Sequence, residues 1–559
     1  MKNLNKILKT LKANVSSVLI VLMLALSSFT LTTDKDLNFE TVKNLDIFYS
    51  LYKELNLYYV DPIQPGELIK TGIDAMLKSL DPYTVYIPES KIEDVKFMTT
   101  GQYGGIGSVI RKNGDYVVII QPYKDSPSDK AGLIPGDIIL EINGKDMKGA
   151  SSEEVSELLR GEPNTKVNLK IKRFGEDKNL DFEFNREQVK LNSVPYYGIL
   201  EDGIAYISLS DFTNTAYKEV KEAYDSLRAE NNLKGIIIDL RSNPGGLLIE
   251  AVKICNMFIP KGEVIVSTKG KVAQWDNVYK ASVEPIDKDI KIAVIVNSSS
   301  ASASEIVAGA MQDLDRGVVI GQRTFGKGLV QTTRELSYNG VLKVTTAKYY
   351  IPSGRCIQAI DYSNRNEDGS VGNIPDSLAT EFKTKNGRKV YDGGGVKPDI
   401  VIQPEYLSNI ATSLLIKNLI FDYSVYYKFK NPKIASAEKF EFSDADYNDF
   451  VKWVQDKDFD YTTRSEDHLN QLIESAKTEK YYDNVQGEFE ILSQKLAHDK
   501  NKDLQVFKDE IKELISHEIV SKYYYETGSL IYGLHKDPEI KEAFRVLKNE
   551  EEYKAILTP

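Results

Sequence analysis

The sequence predicts a multidomain α+β protein, and three observations support that class. The chain has 559 residues, which is more than a single hydrophobic core usually serves, so several domains are expected. Its middle part alternates apolar strand patterns with helical patterns, which is typical of a sheet covered by helices. Its last part is charged, tyrosine-rich and helically periodic. We therefore expect an α/β core with an inserted β-rich module, an N-terminal helical segment and a C-terminal all-helical extension.

Composition and charge disfavour some classes of partner. The net charge is −11, which argues against nucleic acid because phosphates are bound by faces rich in Lys and Arg. The two cysteines, Cys255 and Cys356, cannot form a disulfide framework, and two buried thiols are favoured over a single bridge. No CxxC pair occurs, and the four histidines lack metal-ligand spacing. The sequence predicts no metal site and no cofactor.

Residues 1–33 carry the pattern of an export segment. Four lysines precede an apolar run at residues 15–32, and a basic head followed by an apolar body is typical of a secretory signal peptide. The run is close to the shortest length that spans a bilayer, so an uncleaved membrane anchor is the alternative. Either interpretation predicts a protein that is exported to the periplasm or cell envelope.

Shifts in pattern divide the rest of the chain into four regions. The first, residues 38–98, shows amphipathic helical patterns that run into Pro62 and Pro82, and proline commonly follows a helix end. The β-rich module, the α/β core and the helical extension are expected at residues 99–175, 190–404 and 405–559. The extension carries no enzyme motif, so shielding of a site, adaptor binding and self-association are its open roles.

The β-rich module combines a glycine-rich turn with strand and helix signals. "YGGIGSVI" precedes the strand pattern "YVVIIQPY", and "SSEEVSELLRG" has the Ser-x-x-Glu start and glycine stop of a helix. The order and spacing of these elements resemble a PDZ domain, with "YGGIG" at the position of that family's carboxylate-binding loop. Backbone N–H groups in such a loop bind a C-terminal carboxylate while the peptide adds a strand to the sheet. A plain hairpin turn is the alternative for the glycines alone.

A cluster of serines lies where the α/β core passes from a strand to a helix. "NSSSASASEIVAGAMQD" follows the strand pattern "IKIAVIV", and its later residues place an apolar stripe at helical spacing. The stripe comprises Ile306, Val307, Ala310, Met311 and Leu314. A helix N-terminus carries exposed N–H groups and partial positive charge, so it can present a nucleophile and stabilise an oxyanion. Helix capping is the alternative, and helical geometry does not choose among Ser300, Ser302 and Ser304.

Two further stretches favour the catalytic interpretation of the serines. "DLRSNPGG" ends a buried strand with a glycine pair at 245–246, which is where α/β sheets bind their ligands. "GQRTFGKGLVQ" places Lys327 between two glycines beyond another strand, although a surface lysine in a loop is the alternative. The first histidine, His468, lies in the helical extension, so a Ser-His-Asp triad is disfavoured and lysine is the better candidate for a base.

Taken together, these motifs resemble the carboxyl-terminal processing (tail-specific) serine proteases. The resemblance runs from Tyr58 to Ile402 and includes "YYVDP", "SLDPYT", "YYIPSGRCIQ" and "DGGGVKPDI". It implies a protease core with a layered sheet like those of crotonases and Clp proteases. The helical extension is similar to the extensions of longer bacterial members.

The resemblance implies a Ser-Lys dyad. Ser302 matches the nucleophile, Lys327 the general base, and Gln331 the residue that orients the lysine. An ordinary lysine has a pKa near 10.4, whereas a base that works at neutral pH needs a pKa of about 7 to 8. Burial among apolar neighbours away from carboxylates would lower the lysine pKa, and a neutral amide can orient the amine without holding it charged.

The resemblance also implies how substrate is held. The backbones of Gly246 and Ala303 match the oxyanion donors, and Gly105 and Ile106 match the PDZ loop that meets substrate termini. The expected substrates are proteins with exposed apolar C-terminal tails, with the PDZ domain recognising the tail and gating the site. A non-catalytic peptide-binding scaffold on the same fold is disfavoured, because the nucleophile, the base and the orienting glutamine are all present.

Overall fold

The computed structural model describes residues 38–230, 232–366, 369–457, 459–496 and 499–559. The predicted export segment, with its apolar run at 15–32, lies outside the described residues. The chain divides into two compact units, Met1–Tyr86 and Ile87–Pro559. Among the described residues, no helix has both the length and the apolar character needed to cross a membrane.

The described part of the first unit is helical, as predicted. Helix α1 covers residues 38–58, helix α2 covers Pro65–Lys78, and the short strand β1 follows at Val85–Ile87. The chain turns between α2 and β1 because the Asp81 carboxylate accepts the backbone N–H groups of Tyr83 and Thr84 at 2.8 Å and 2.7 Å. This side chain holds the turn within the "SLDPYT" stretch.

The β-rich module is an antiparallel sheet with two short helices and a preceding helix. Its elements are α3 (Ile92–Thr100), β2 (Gln102–Gly105), β3 (Ser108–Asn113), β4 (Tyr116–Pro122), α4 (Pro127–Ala131), β5 (Ile138–Ile142), β6 (Lys145–Asp146), α5 (Ser152–Leu159), β7 (Lys166–Lys172), β8 (Leu180–Asn185) and β9 (Glu187–Lys190). The main strand order is β3-β4-β5-β7-β8, with β6 paired to β5. Helix α5 begins with the predicted capping box between Ser151 and Glu154. The sheet continues to Asn185, past the predicted boundary at residue 175.

The α/β core is built on a six-stranded sheet. The elements of this region are β10 (Tyr196–Ile199), β11 (Ile204–Ser208), α6 (Ala216–Glu230), β12 (Gly235–Asp239), α7 (Leu248–Asn256), β13 (Val264–Gly270), β14 (Asn277–Lys280), β15 (Lys291–Val296), α8 (Ala303–Asp313), β16 (Val318–Gly321), β17 (Leu329–Glu335), β18 (Val341–Tyr350), β19 (Ile360–Arg365), β20 (Val371–Asn373), β21 (Glu381–Lys383), β22 (Lys389–Tyr391) and β23 (Ile400–Val401). The order is β10-β11-β12-β15-β16-β23, and all pairs except β10–β11 are parallel. A second, antiparallel sheet includes β13, β14, β17 and β18.

The parallel strands are buried on both faces. All five residues of β12 are buried, as expected for the continuous apolar strands of a parallel sheet covered on both sides. On one face, Ile236, Ile238 and Val294 pack with helices α6, α7 and α8; on the other face, Ile237 and Ile295 join a separate cluster. The result is the layered α/β core that the sequence predicts.

The C-terminal region is all helical, as predicted. Its helices are α9 (Asn409–Ile416), α10 (Leu419–Lys430), α11 (Asp444–Gln455), α12 (Arg464–Thr478), α13 (Tyr482–Leu496), α14 (Lys500–Val506), α15 (Lys508–Leu534), α16 (Pro538–Lys548) and α17 (Glu550–Leu557). Aromatic rings build much of its core: Tyr423 lies within 5.0 Å of the Phe450 ring and 5.4 Å of the Trp453 ring, centroid to centroid. Tyrosine, phenylalanine and tryptophan side chains therefore pack against one another in this region.

The last two helices belong structurally to the α/β core. Ile540, Val546 and Leu547 of α16 and Tyr553 of α17 cover the sheet face that carries Ile237. At the start of α16, Arg241 of the core pairs with Asp537 and Glu539. The predicted boundary at residue 404 therefore does not end the core, because the parallel strands need cover on this second face.

The C-terminal helices also contact the β-rich module. The Asn113 amide donates to Asp422 at 3.2 Å, and the Tyr525 hydroxyl donates to Asp129 at 2.9 Å. Phe174 packs edge-on against Phe429, with ring centroids 5.4 Å apart. One helical region thus contacts both the module and the core.

Candidate active site

Three loops meet at the carboxyl edge of the parallel sheet. They follow β12, β15 and β16, whose carboxyl ends lie at the same edge because the strands are parallel. The backbone N–H of Ala301 donates to the Asn243 carbonyl at 3.0 Å, and the N–H of Phe325 donates to the Ser300 carbonyl at 3.0 Å. The glycine turn, the serine cluster and the lysine loop are therefore hydrogen-bonded neighbours.

The structure separates the three serines that helical geometry could not. The Ser300 hydroxyl donates to the Leu240 carbonyl at 2.7 Å, and the Ser304 hydroxyl donates to the Asn243 carbonyl at 3.0 Å. Both serines are fully buried, so their hydroxyls bind loops together. Ser302 is half-buried and immediately precedes the first residue of α8. Of the three serines, Ser302 is therefore the one that is partly accessible.

The backbone of Ser302 adopts a conformation that non-glycine residues seldom use. Its φ is 57° and its ψ is −113°, and such a residue stores about 1–3 kcal/mol of strain. Two hydrogen bonds maintain this conformation. The Ser302 N–H donates to Glu305 at 2.8 Å, and the Tyr349 hydroxyl donates to the Ser302 carbonyl at 3.1 Å. A strained strand-to-helix turn of this kind exposes a nucleophile at the top of a sheet.

Glu305 connects the serine loop to the lysine loop. Its side chain is fully buried. One carboxylate oxygen accepts the backbone N–H groups of Ser302 and Lys327, both at 2.8 Å; the other accepts the Thr324 hydroxyl at 2.5 Å and the Gly326 N–H at 2.7 Å. Burial raises the pKa of Glu305 to about 7, against the opposing effect of these four hydrogen bonds.

Lys327 lies in a loop that needs both of its flanking glycines. A methyl group at Gly326 would lie 2.4 Å from the Ala359 side chain, and one at Gly328 would lie 2.9 Å from the Gln358 nitrogen. Lys327 itself is half-buried. The sequence predicts that the lysine lies away from carboxylates. The structure differs at the backbone, because the Lys327 N–H donates to the Glu305 carboxylate.

Gln331 lies on β17, the strand that follows the lysine loop. Its amide donates to the Thr345 hydroxyl on β18 at 3.2 Å. The side chain is half-buried, and the residue is paired across the sheet with Thr345. The hydrogen bond fixes where the amide lies.

The glycine turn fits tightly beside Ser302. A methyl group at Gly245 would lie 2.8 Å from the Ser302 Cβ and 2.9 Å from the Ala303 nitrogen. Gly246 has a φ of 145° and faces Phe212, whose carbonyl would lie 2.5 Å from a methyl group at Gly246. The backbone N–H groups of Gly246 and Ala303 thus belong to two segments in close contact.

Helix α8 differs from the expected amphipathic helix. All eleven of its residues are buried, including the polar Gln312 and Asp313. The buried Arg355 guanidinium donates to both of these side chains at 2.8 Å. The helix therefore has no solvent face, because polar partners from the "YYIPSGRCIQ" stretch enclose its outer side.

The β-rich module has a groove of about 220 Å³ between β3 and α5. Its lining residues are Phe97, Tyr103, Ile106, Gly107, Ser108, Ile110, Tyr123, Ser156, Leu159, Arg160 and Leu191. Strand β3 is an edge strand of the main sheet. Ile106 lines the groove, and Gly105 lies beside it, where a methyl group would meet the Tyr103 ring at 2.8 Å.

Sequence reasoning missed Glu305, Thr324 and Tyr349. The Ser-x-x-Glu pattern from Ser302 to Glu305 is a helix-start signal that could have identified the glutamate. No sequence pattern marks the other two, because Thr324 and Tyr349 reach the serine loop from distant parts of the chain. The three described histidines, at 468, 517 and 535, all lie in the C-terminal helical region.

Comparison with known proteins adds independent evidence. Residues 203–363 match the model of peptidase family S41, residues 118–173 match a PDZ domain, and residues 410–547 match the C-terminal helical domain of a probable PDZ-protease. The chain is 37% identical over 349 residues to a carboxy-terminal-processing protease of Bartonella bacilliformis, covering 62% of this chain and 79% of that protein. It is 39% identical over 317 residues to a probable CtpA-like serine protease of Staphylococcus aureus, covering 56% of this chain and 62% of that protein.

A solved structure is also among the proteins that the chain is similar to. The chain is 26% identical to the photosystem II D1 C-terminal processing protease, with 65% of this chain and 93% of that chain covered and a TM-score of 0.35. The sequence relationship to the Bartonella protein extends over most of that relative's length. The chain therefore belongs to peptidase family S41, as a serine peptidase of the carboxy-terminal-processing type that carries a PDZ domain.

Proposed function

We propose that this peptidase uses a Ser-Lys dyad, with Ser302 as nucleophile and Lys327 as general base. The observation that carries the proposal is the contact of both residues with one carboxylate oxygen of Glu305. It brings a strained, half-buried serine and a half-buried lysine to the same point at the carboxyl edge of the sheet. The absence of a histidine from the three loops favours lysine as the base.

The chemistry follows from the residue types. Neutral Lys327 takes the hydroxyl proton of Ser302 as the serine oxygen attacks a peptide carbonyl. The carbonyl oxygen becomes an oxyanion, which the backbone N–H groups of Gly246 and Ala303 stabilise. Protonated Lys327 then gives its proton to the leaving amine, and an acyl-enzyme remains on Ser302. Water, deprotonated by Lys327, hydrolyses the ester and regenerates the serine.

Gln331 has the properties of an orienting residue for the lysine. A neutral amide restricts the amine without adding negative charge, so it does not raise the lysine pKa as a carboxylate would. The raised pKa of Glu305 also limits how far a nearby carboxyl group raises the lysine pKa. A carboxyl group that is part-protonated near neutral pH carries less negative charge toward the lysine.

We propose that the PDZ groove binds the C-terminal tail of a protein substrate. An edge strand such as β3 can pair with one further strand, and the groove beside it is lined with apolar side chains such as Ile106 and Ile110. Arg160 lines the same groove and lies over the rings of Phe97 and Tyr103. The groove therefore suits an extended apolar peptide that ends in a carboxylate.

Hydrogen bonds link this groove to the candidate oxyanion turn, which supports gating by the PDZ domain. The N–H of Leu191, a lining residue, donates to Gly101 at 2.9 Å, and the N–H of Asn214 donates to the Thr99 carbonyl of α3 at 2.9 Å. Two residues before Asn214, Phe212 exchanges backbone hydrogen bonds with the glycine turn: its N–H donates to Gly245 at 3.0 Å. Movement of α3 on peptide binding would thus reach the turn.

A pair of substrates tests tail recognition. One protein substrate carries an apolar C-terminal tail with a free carboxylate, and the other carries the same tail amidated. We expect Arg160→Ala to lower kcat/KM about tenfold for the free tail only, which corresponds to the loss of one charged contact. Lys172→Ala, an exposed residue of the same domain, is the charge-matched control. Equal cleavage of both tails by all three proteins would remove the tail-binding role.

We also propose that the protein works in the cell envelope. The basic and apolar pattern of residues 1–33 supports export. Cell fractionation with the full chain and with a chain that starts at residue 38 tests this, since only the full chain should leave the cytoplasm. For the C-terminal helices, adaptor binding and self-association stay open, and solution mass with and without substrate distinguishes them.

A further inference from the structure

We propose that Glu305 is a positioning residue of the peptidase reaction, which fixes the backbone of Ser302 and Lys327 relative to each other. The inference rests on the proposed dyad and adds a third side chain to it. Glu305 does not contact the reacting atoms in this role. It acts through the two residues whose N–H groups it accepts.

The two carboxylate oxygens have separate partners. One oxygen joins the serine loop to the lysine loop, because it accepts from Ser302 and from Lys327 at the same distance of 2.8 Å. The other oxygen anchors the carboxylate itself, through the Thr324 hydroxyl at 2.5 Å and the Gly326 N–H at 2.7 Å. The loops follow different strands, and they are also joined directly by the Phe325 N–H, which donates to the Ser300 carbonyl at 3.0 Å.

Thr324, which donates to Glu305, is itself held by two hydrogen bonds. Thr324 accepts the Val396 N–H on its hydroxyl at 2.7 Å, and its own N–H donates to the Val396 carbonyl at 3.1 Å. Glu305 sits in the first turn of a fully buried helix. Glu305 belongs to the helix that follows the serine loop, and Thr324 and Gly326 belong to the lysine loop, so the carboxylate holds the two catalytic segments at one spacing.

The four donors require both carboxyl oxygens of Glu305 as acceptors. Three of them are backbone N–H groups, which cannot reverse their polarity. A glutamine at position 305 has one acceptor oxygen and one amino group, so at least one N–H donor would face another donor. This mismatch predicts that an isosteric substitution disturbs the loops even though it fills the same volume.

Two further titratable side chains lie close enough to Glu305 for its charge to affect them. Tyr349 is fully buried and Cys356 is largely buried; burial, together with the charge of Glu305, raises the pKa of both groups. Both are therefore neutral near pH 7. Lys327 is the basic side chain on the adjoining loop, and its backbone N–H contacts the carboxylate.

A purely structural role is the competing explanation, and a matched control distinguishes it. The Asp287 carboxylate also accepts three hydrogen bonds, from the Tyr224 hydroxyl at 2.9 Å and from the N–H groups of Asp289 and Ile290 at 3.0 Å and 2.9 Å. It precedes β15, whereas Ser302 follows that strand. Asp287→Asn thus removes a comparable network from the opposite end of the same strand.

The test measures kcat, KM and melting temperature for Glu305→Gln, Asp287→Asn and the wild-type full chain, using a peptide substrate. We expect Glu305→Gln to lower kcat about tenfold with KM unchanged within about twofold. It should slow the labelling of Ser302 by a serine-directed phosphonate to a similar degree. Asp287→Asn should lower the melting temperature and keep kcat within about twofold. Thr324→Val, which removes one anchor donor, should lower kcat about threefold, and it carries the test if the glutamine variant does not fold.

The outcomes separate this inference from the proposed function. If Glu305→Gln and Thr324→Val keep the wild-type kcat, or if Asp287→Asn loses kcat to the same degree, Glu305 has no positioning role. The dyad would still stand in that case, provided that Ser302→Ala is inactive. If Ser302→Ala retains hydrolysis, the proposed dyad itself fails.

Discussion

The backbone N–H groups of Ser302 and Lys327 donate to the same oxygen of Glu305, each at 2.8 Å. The two residues come from loops that follow different strands of the parallel sheet. A nucleophile and a base can act together only if their separation is fixed, since misplacement by about 1 Å can cost about a hundredfold in rate. This shared contact is therefore the structural basis of the proposed mechanism.

We predict that Ser302→Ala and Lys327→Ala each abolish peptide hydrolysis and leave the fold intact. The reason is that either change removes one partner of the only proton transfer that activates the serine. Peptide cleavage measured by mass spectrometry, together with circular dichroism, checks both parts. Ser298→Ala is the control, because Ser298 is an exposed serine in the same loop. Cleavage at the wild-type rate by either alanine variant contradicts the dyad.

We predict that Gly245→Ala lowers kcat by more than its loss of stability explains. The added methyl group would lie 2.7 Å from the Ala301 carbonyl and 2.8 Å from the Ser302 Cβ, so the serine loop must shift. At a φ of 101° the alanine also strains the backbone, which costs about 1–3 kcal/mol. Kinetics and urea unfolding of the same preparation measure the two effects.

Gly262→Ala is the matched control for this change. Gly262 has a similar φ of 94°, but a methyl group there meets no atom within 4 Å. Its alanine variant should show the backbone strain alone and keep the wild-type kcat. Equal kinetics for the two variants would show that crowding next to Ser302 has no functional effect.

We predict that Arg241→Ala destabilises the protein by about 3 kcal/mol, as expected when one partner of a largely buried ion pair is removed. The guanidinium pairs with Asp239, which is only 7% exposed, and with Asp537 at the start of α16. Without it, the three carboxylates of Asp239, Asp537 and Glu539 remain close together at the junction of core and C-terminal helices. Urea unfolding measures the loss, and Glu550→Gln, which breaks an exposed pair on α17, should leave stability unchanged. Similar stabilities for both variants would contradict the junction's importance.

The same packing predicts that truncation after residue 404 prevents folding of the core. The deletion removes Val546, Leu547 and Tyr553, which cover one face of the parallel sheet, and exposed apolar strands aggregate. A chain that ends at residue 404 should therefore be insoluble, as judged by its recovery after expression. A soluble, active fragment would show that α16 and α17 are dispensable.

We predict a pH-dependent difference in stability between the wild type and Glu305→Gln. The pKa of Glu305 is raised from its ordinary value of 4.5 to about 7, so between these values the folded protein holds a proton that the unfolded chain releases. The stability that this group contributes is present below pH 4.5 and is lost as pH rises through about 7. The glutamine does not titrate. The wild type should lose up to about 3 kcal/mol relative to the variant from about pH 5 to about pH 8. A constant difference over that range contradicts the raised pKa.

Much of the architecture was predictable because it depends on local periodicity. The continuous apolar runs of β12 and β15 and the capping box at Ser151 specify strands and a helix within a few residues of chain. The placement of α16 was not predictable in this way. Its apolar face is typical of any amphipathic helix, and nothing local shows that it covers the sheet rather than other helices.

Some residues of the candidate site were predictable from sequence, and others were not. Sequence motifs and the family resemblance selected Ser302, Lys327, Gln331, Gly246 and Ala303, and their catalytic roles stay predictions. Glu305 was overlooked because its pattern also fits an ordinary helix cap. Its partners on the lysine loop are visible only once the two loops are placed side by side.

The amino-acid sequence by itself determined the family of this protein, the order of its regions and the chemical groups available for catalysis, since all of these are written in residue types and short spacings. Only the tertiary structure decided which serine hydroxyls are occupied, what spans the serine and lysine loops, and which helices close the core. These depend on hydrogen bonds and packing between residues far apart in the chain, and local sequence patterns do not indicate such contacts.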